Sequence, residues 1–541
     1  MKLIKEIFLG KEKSFTPNVI CFHIALIVMS FVFVYFFSYT TSFRYVILDG
    51  DSSIFQSVGK LWAQGHLPYV ELFESKGPLM FLIDAIGYMI YPRSGIMVPQ
   101  IIFMYVSLLF AWRITEILNF NKAKLLVFGL TVFYYVAHYH AGNHINEYNM
   151  PFLMVAVYIF LRDLNSPRVP LLHGFIYGFG FGASVLLRTT SSMPICCCVF
   201  LSAIFLLKSG ELKNLLQNVL SFCAGFAVIV LPFVIYFAAH GALYEMIYGT
   251  ILFSIKYMSA TPHENFTSSY KFIYVSTHVM PMVIMAFASL VEIIQGRKSK
   301  LIVSGFFIGV MMTFLQAKIR PYVNYYMIIV PLFPLFVAVF LEFFKNNLSL
   351  LRSLILNESK SSGIKTSLFE RFACKFFLVT ALIFLSVCAN FYLHHVDFSW
   401  TFYPIFDKRA NENAKQELEG ITELKKIIPE NERDSFVTWG DHNTTTHWVI
   451  YADMKSRERL FMNNGPMIGI DPALWIEWFG NVTNNPPLWI LYGTRLNRKP
   501  GEPPKPPHEI PEIEQFLSEK YILKGQTRIE GQMMNLYRLK E

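Results

Sequence analysis

The chain has 541 residues, of which 54% are hydrophobic and only 16% charged, and its net charge is +9. A soluble domain is about 25% charged, so this composition excludes a simple soluble enzyme and indicates a multi-pass membrane protein. The seven cysteines lie in or beside apolar stretches without metal-type or disulfide-type spacing, which gives no disulfide framework.

The charge is uneven. From Val396 onward there are 18 Lys/Arg against 21 Asp/Glu; the preceding part has 29 against 17, a net of +12. That excess reads as loop topology rather than as a nucleic-acid surface.

Lys2, Lys5, Lys11 and Lys13 precede the first apolar stretch, about 19–39. This stretch is too long and wrongly flanked for a cleaved signal peptide, so it is expected to be a retained span with the N-terminus inside. The following loop is then outside. It carries Asp49-Gly50-Asp51 and, further on, Phe73-Glu74-Ser75-Lys76-Gly77-Pro78-Leu79. The apolar piece at about 78–91 includes Asp84 and is short for a span. It is expected to lie on the outer surface as an interfacial helix. Counting it as a span would put Lys122 and Lys124 outside.

With that choice the basic loops fall on one side. Spans are expected at about 96–118, 125–141, 150–161, 171–187, 193–207, 215–239, 272–294, 301–316, 324–344 and 376–394, about eleven in all. The sequence thus divides into a polytopic α-helical membrane part, 1–395, with an external catalytic loop at about 40–95, and an external soluble α/β domain, 396–541. In the latter, 414–428 has helical periodicity, 435–439 and 488–492 read as buried strands, 510–520 as a helix, and 527–529 and 533–539 as short closing strands. The proline-rich run 500–507 breaks the pattern.

Ionisable groups beside a membrane are costly and point to function. Asp49/Asp51, Glu74/Lys76, Glu147 and Arg188 all fall outside, with Arg320 and Tyr322 as additions. A carboxylate beside a cation suits chemistry on a lipid-linked phosphate. The carboxylate deprotonates an acceptor, and the cation holds the leaving phosphate. Asp51 is the candidate base; the competing reading is an N-cap for a helix at 52–64. Asp49 is an accessory acid or a turn residue with Gly50. Lys76 either neutralises a phosphate or snorkels to lipid headgroups. Glu74 orients Lys76, carries a metal or is solvated. Arg188 contacts phosphate or anchors at the interface. Arg320 and Tyr322 open a span whose aromatics either stack on a sugar or form an interfacial belt. Glu147 follows His138, His140, Asn143, His144 and Asn146. That run lacks the HExxH spacing of a zinc site, and a divalent metal, if present, would fall to Asp51 and Glu147.

On these residues the chain resembles the GT-C superfamily of membrane glycosyltransferases. The likeness is to the branch with the dolichyl-phosphate-mannose protein mannosyltransferases and the lipid A aminoarabinose transferases. Asp51-Ser52-Ser53-Ile54-Phe55 is similar to that family's catalytic Asp element, and Glu74-Ser75-Lys76-Gly77-Pro78-Leu79 to its Lys-Pro-Pro-Leu element. Asn146-Glu147-Tyr148 is similar to its second acidic site, and Arg188 stands where an arginine often stands. The Asp is not followed by Glu, Gly77 replaces the first Pro, and Asn324 stands where a histidine is frequent. The resemblance implies an inverting transferase using a polyprenyl-phosphate-linked sugar donor and a glycan, lipid or protein acceptor, in the cytoplasmic membrane. The alternatives are a transporter or flippase and a non-catalytic glycan-assembly partner. The tail is expected to position the acceptor rather than to do chemistry.

Overall fold

The computed structural model describes residues 16–48, 50–260, 268–318, 323–355, 408–440, 442–460, 470–496, 509–529 and 532–541, with Leu9 and Glu502. The membrane part is a bundle of apolar helices: α1 (Pro17–Phe37), α2 (Gly50–Ala63), α3 (Pro78–Ile90), α4 (Met97–Ile117), α5 (Lys124–His138), α6 (Ile145–Asp163), α7 (Leu171–Arg188), α8 (Met193–Lys208) and α9 (Leu212–Ala239). After two short helices, Leu243–Ile247 and Phe253–Ala260, come α10 (Ser268–Ile294), α11 (Lys300–Lys318) and α12 (Phe333–Ile355). Among the described residues, five stretches are long and apolar enough to cross a membrane: Pro17–Phe37, Ser94–Ile117, Leu171–Lys208, Leu212–Ala239 and Asn324–Asn347. The third contains both α7 and α8. The span expected at 376–394 lies outside the described residues.

The ends of α1 and α4 meet. Gln100 Nε2, in the first turns of α4, donates to Ser38 Oγ, just past α1, at 2.9 Å. One helix therefore ends, and the next begins, at the same level. Everything between, α2 and α3 included, lies on that end of the bundle. The 13 residues of α3 extend only about 20 Å, short of a bilayer core of about 30 Å. The reading of 78–91 as a helix that does not span agrees with this geometry. The span expected as one helix at 324–344 instead starts with a 3₁₀ stretch, Val323–Leu332, before α12. Pro331 and Pro334 supply the reason: neither has an N–H for an α-helical ladder.

Close helix packing is written in glycines. Gly174, Gly178 and Gly182 recur every fourth residue on α7. A Cβ on Gly178 would stand 1.9 Å from the Phe222 carbonyl of α9, and one on Gly225 of α9 would stand 2.0 Å from the Phe175 carbonyl of α7. Without side chains between them the two backbones touch, which is the small-residue packing expected where lipid removes the hydrophobic drive between helices.

The C-terminal part contributes α13 (Lys408–Ile427), β1 (Phe436–Trp439), α14 (His442–Ala452), α15 (Pro472–Asn484), β2 (Trp489–Arg495), α16 (Pro511–Lys520), β3 (Tyr521–Ile529) and β4 (Gln532–Leu539). The sheet order is β1-β2-β4-β3, with β1 parallel to β2 and the other pairs antiparallel. Side chains alternate across a strand, and both faces are covered here. Phe436, Trp489 and Leu491 pack with Ile421, Leu424 and Trp448 of α13 and α14. Val437, Trp439, Ile490 and Tyr492 face Leu474, Trp478, Ile513 and Phe516 of α15 and α16. The second core also contains Phe73 and Phe253 from the membrane part, so the C-terminal part is docked on the end of the bundle that carries α2 and α3.

Candidate active site

Gly77 builds the first half of the site. Its N–H donates to the Leu187 carbonyl at 3.2 Å, and a Cβ there would stand 1.9 Å from the Leu186 carbonyl oxygen. Only glycine lets the loop lie against the last turn of α7. The preceding residue, Lys76, is thereby brought to the end of the helix on which Arg188 sits. Tyr69 OH donates to the Lys76 carbonyl at 2.6 Å and fixes the backbone from the other side.

Lys76 Nζ lies 3.2 Å from Glu74 Oε1 and 3.2 Å from Ser75 Oγ. Glu74 is 2% exposed, so its carboxylate is a fixed partner and not a solvated loop charge. Burial acts against the Lys76 ammonium, but the charges of Glu74 and then Asp51 more than offset it. The lysine pKa is held above its usual range and the side chain stays cationic.

Asp51 is exposed in the first turn of α2. The helix starts at Gly50, so Asp51 is not the N-cap of a helix starting at 52. It stands one residue inside, where a helix N-terminus favours negative charge. The charge of Asp51 acts on Lys76. Tyr325 lies under Arg188, whose guanidinium carbon is 4.0 Å from the ring centroid, a cation–π distance. Arg188 also donates from Nη2 to Asn146 Oδ1 at 3.0 Å and from Nε to Ser191 Oγ at 3.1 Å. Asn146 Nδ2 donates to the Asn324 carbonyl at 2.6 Å. The structure thus brings together Asp51, Glu74, Lys76 and Arg188 from three separate places in the sequence, and adds Asn146, Ser191 and Tyr325.

Glu147 is placed differently. It is 1% exposed and turned into the bundle. Gln100 Nε2 donates to both its oxygens at 3.1 Å, the Asn143 N–H donates at 2.7 Å, and Tyr139 OH donates as well. Asn143 Nδ2 continues the chain to Asp84 Oδ2 at 3.1 Å. Asp84 is fully buried on α3; burial first, and then Glu147, push its carboxyl well up, against the Asn143 hydrogen bond. Glu147 is therefore the hub of a buried network that ties α4, α5, α6 and α3 together. The residue beside it, Asn146, is the one that reaches Arg188. Of the two residues to which a metal would fall, Asp51 is exposed at the start of α2 and Glu147 is buried with both oxygens accepting hydrogen bonds. Among the described residues there is no group of three or more His, Cys, Asp or Glu that could hold a metal. Asp49, Arg320 and Tyr322 lie outside the described residues.

The chain is similar to the crystal structure of ArnT from Cupriavidus metallidurans bound to undecaprenyl phosphate, with a TM-score of 0.51, 11% identity, and coverage of 96% of this chain and 98% of that one. The apo state of the same ArnT matches with the same TM-score, identity and coverage. The archaeal oligosaccharyltransferase AglB from Archaeoglobus fulgidus matches at a TM-score of 0.42 and 12% identity over 88% of this chain and 70% of that one. No family model matches the sequence, and no curated protein matches it.

Proposed function

We propose that this chain is an inverting glycosyltransferase that moves a sugar from a polyprenyl-phosphate-linked donor to an acceptor at the outer side of the cytoplasmic membrane. The observation that carries the reading is the cationic Lys76, fixed by Glu74 at 3.2 Å and acted on by Asp51, at the end of the helix where Arg188 is stacked on Tyr325. A base and two cations share one end of a membrane bundle. ArnT, the relative in fold, was crystallised with undecaprenyl phosphate, and the same class of carrier is proposed here.

Asp51 takes the proton of an acceptor hydroxyl as its oxygen attacks the anomeric carbon. The bond from that carbon to the phosphate oxygen breaks on the opposite face, so the centre inverts through an oxocarbenium-like state. The departing phosphate gains charge, which Lys76 and Arg188 neutralise in place. Glu74, itself fixed, keeps Lys76 protonated and aimed. Glu147 acts through support of the Asn143–Tyr148 turn, not by contact. Asp49 remains the candidate accessory acid, and Arg320 and Tyr322 remain candidate substrate contacts. Residues 396–541 form the external domain that presents a glycan, lipid or protein acceptor.

A transporter would place its ionisable site near the midplane, between paired repeats. Asp51, Lys76 and Arg188 instead gather at one end, which favours the transferase. The test is the affinity for undecaprenyl phosphate of the full chain in lipid nanodiscs. Lys76→Ala and Arg188→Ala should each weaken it about tenfold or more, since charge-assisted hydrogen bonds contribute about 1.5–3 kcal/mol. Lys76→Arg should recover only part, because a planar fork replaces a point charge. Unchanged affinity in both alanine variants would remove Lys76 and Arg188 from the phosphate site.

A further inference from the structure

The helix that carries Asp51 is gripped along its length by a helix nearly 400 residues later. α14 runs beside α2 in the same direction. Thr446 Oγ1 donates to Ser53 Oγ at 2.7 Å. Two turns on along α2, Lys60 Nζ donates to the Val449 and Ile450 carbonyls at 2.8 and 3.3 Å and pairs with Asp453 at 2.7 Å. Beyond it, Gln64 Nε2 donates to Asp453 Oδ1 at 3.2 Å. Lys60 thus satisfies carbonyls at the C-terminal end of α14, where a cation is favoured.

The upper contact leads to the base. Ser53 Oγ accepts from Thr446 and donates to the Gly50 carbonyl at 2.8 Å. Ser53 and Thr446 are both fully buried, so no water competes for either hydroxyl. Gly50 is the residue before Asp51, and its carbonyl belongs to the same peptide group as the Asp51 N–H. The relay Thr446–Ser53–Gly50 therefore ends on the peptide that aims the Asp51 side chain. A second grip falls on the Lys76 loop. The Phe73 N–H donates to the Arg459 carbonyl at 2.9 Å, and the Phe73 ring sits in the core of the C-terminal sheet.

Resting on the reading of Asp51 as base, we propose that Thr446 is a positioning residue of the active site. The C-terminal part then sets the geometry of the base from its own fold and does more than present an acceptor. Thr446 touches no reacting atom; it acts through Ser53. Loss of the hydroxyl leaves Ser53 Oγ a buried acceptor without that donor, and frees it to leave the Gly50 carbonyl.

The experiment is hydrogen exchange on the full chain in lipid nanodiscs, with undecaprenyl phosphate affinity measured on the same samples. Thr446→Val keeps the shape and removes the donor. It should speed exchange of the Ile54 to Ser57 amides about threefold to tenfold, the range for one net hydrogen bond. Amides of β2 should be unchanged, and so should undecaprenyl phosphate affinity, because Lys76 and Arg188 are not touched. Thr446→Ser, which keeps the hydroxyl, should restore the wild-type exchange. Unchanged exchange at Ile54 to Ser57 in Thr446→Val overturns the proposal. So does exchange in Thr446→Ser equal to that in Thr446→Val, which would make the role one of packing alone. Failure of the wild type to bind undecaprenyl phosphate would count against the proposed donor while leaving the exchange result standing, so the two readings fail separately.

Discussion

Gly77 decides, at the scale of one residue, whether the loop that carries Lys76 can reach the end of α7. The resembling family has proline at this position. Here the loop lies so close to α7 that a Cβ would stand 1.9 Å from a backbone oxygen, which cannot swing aside as a side chain would. Gly77→Ala should therefore push the loop off α7 and cost about 1–3 kcal/mol, the range for overpacking. Thermal unfolding of the detergent-solubilised protein should show a lower midpoint, with weaker undecaprenyl phosphate binding. A variant with both unchanged would mean that the loop does not need this contact. Asp51, Lys76 and Arg188 were legible in the sequence because charges beside a membrane stand out from an apolar background. Asn146, Ser191 and Tyr325 were not. A neutral polar residue beside a span has no such contrast, and the eye falls on Glu147 next door. Whether Glu147 or Asn146 faces the arginine depends on the rotation of the first turn of α6, which local composition does not encode.

At the scale of elements, the loop between α2 and α3 is fastened to the C-terminal part by a charge cluster. Lys455 Nζ pairs with Glu71 Oε2 at 2.7 Å, and His66 Nδ1 lies 2.8 Å from the same oxygen. Burial pushes the Glu71 carboxyl up. The Lys455 hydrogen bond, the Leu67 N–H and His66 outweigh it and hold the pKa down at about 2, from an ordinary value of 4.5. A carboxyl lowered on folding stabilises the fold fully above its unfolded value, and that contribution is lost as pH falls toward the folded value. The window is therefore about pH 4.5 down to about pH 2. The unfolding midpoint of the wild type should drop on acidification through this window, and in Glu71→Gln the drop should be smaller. Equal slopes in the two proteins would show that this cluster does not couple loop and tail. The short α3, α13, α16 and the buried runs of β1 and β2 follow from length and apolar pattern, whereas α14, α15 and the first part of β3 were not read. The 3₁₀ entry to α12 followed from Pro331 and Pro334, but a hydropathy run does not separate it from a helix.

At the scale of the whole molecule, the sequence suggests two parts with divided labour, and the structure joins them more tightly. Phe73 of the loop after α2 and Phe253 complete the core of a sheet formed more than 180 residues later. The contact of Thr446 with Ser53 spans 393 residues. No local pattern records such pairings, because each partner looks complete in its own element. The parallel pairing of β1 with β2 is equally silent, since both strands are simply buried runs. The C-terminal part grips the helix that carries Asp51, and its removal would take the support of α2 with it.

The central claim is that Asp51 is the base of a sugar transfer from a phosphate carrier. The direct measurement is turnover of the full chain in nanodiscs, wild type against Asp51→Asn, with a polyprenyl-phosphate sugar that the wild type consumes, alongside undecaprenyl phosphate affinity. The substitution keeps the size of the side chain and removes its proton affinity. Turnover should fall by about 10²–10⁴-fold while undecaprenyl phosphate affinity is retained, because Lys76 and Arg188 remain in place. Turnover of Asp51→Asn within a few-fold of wild type would contradict that claim.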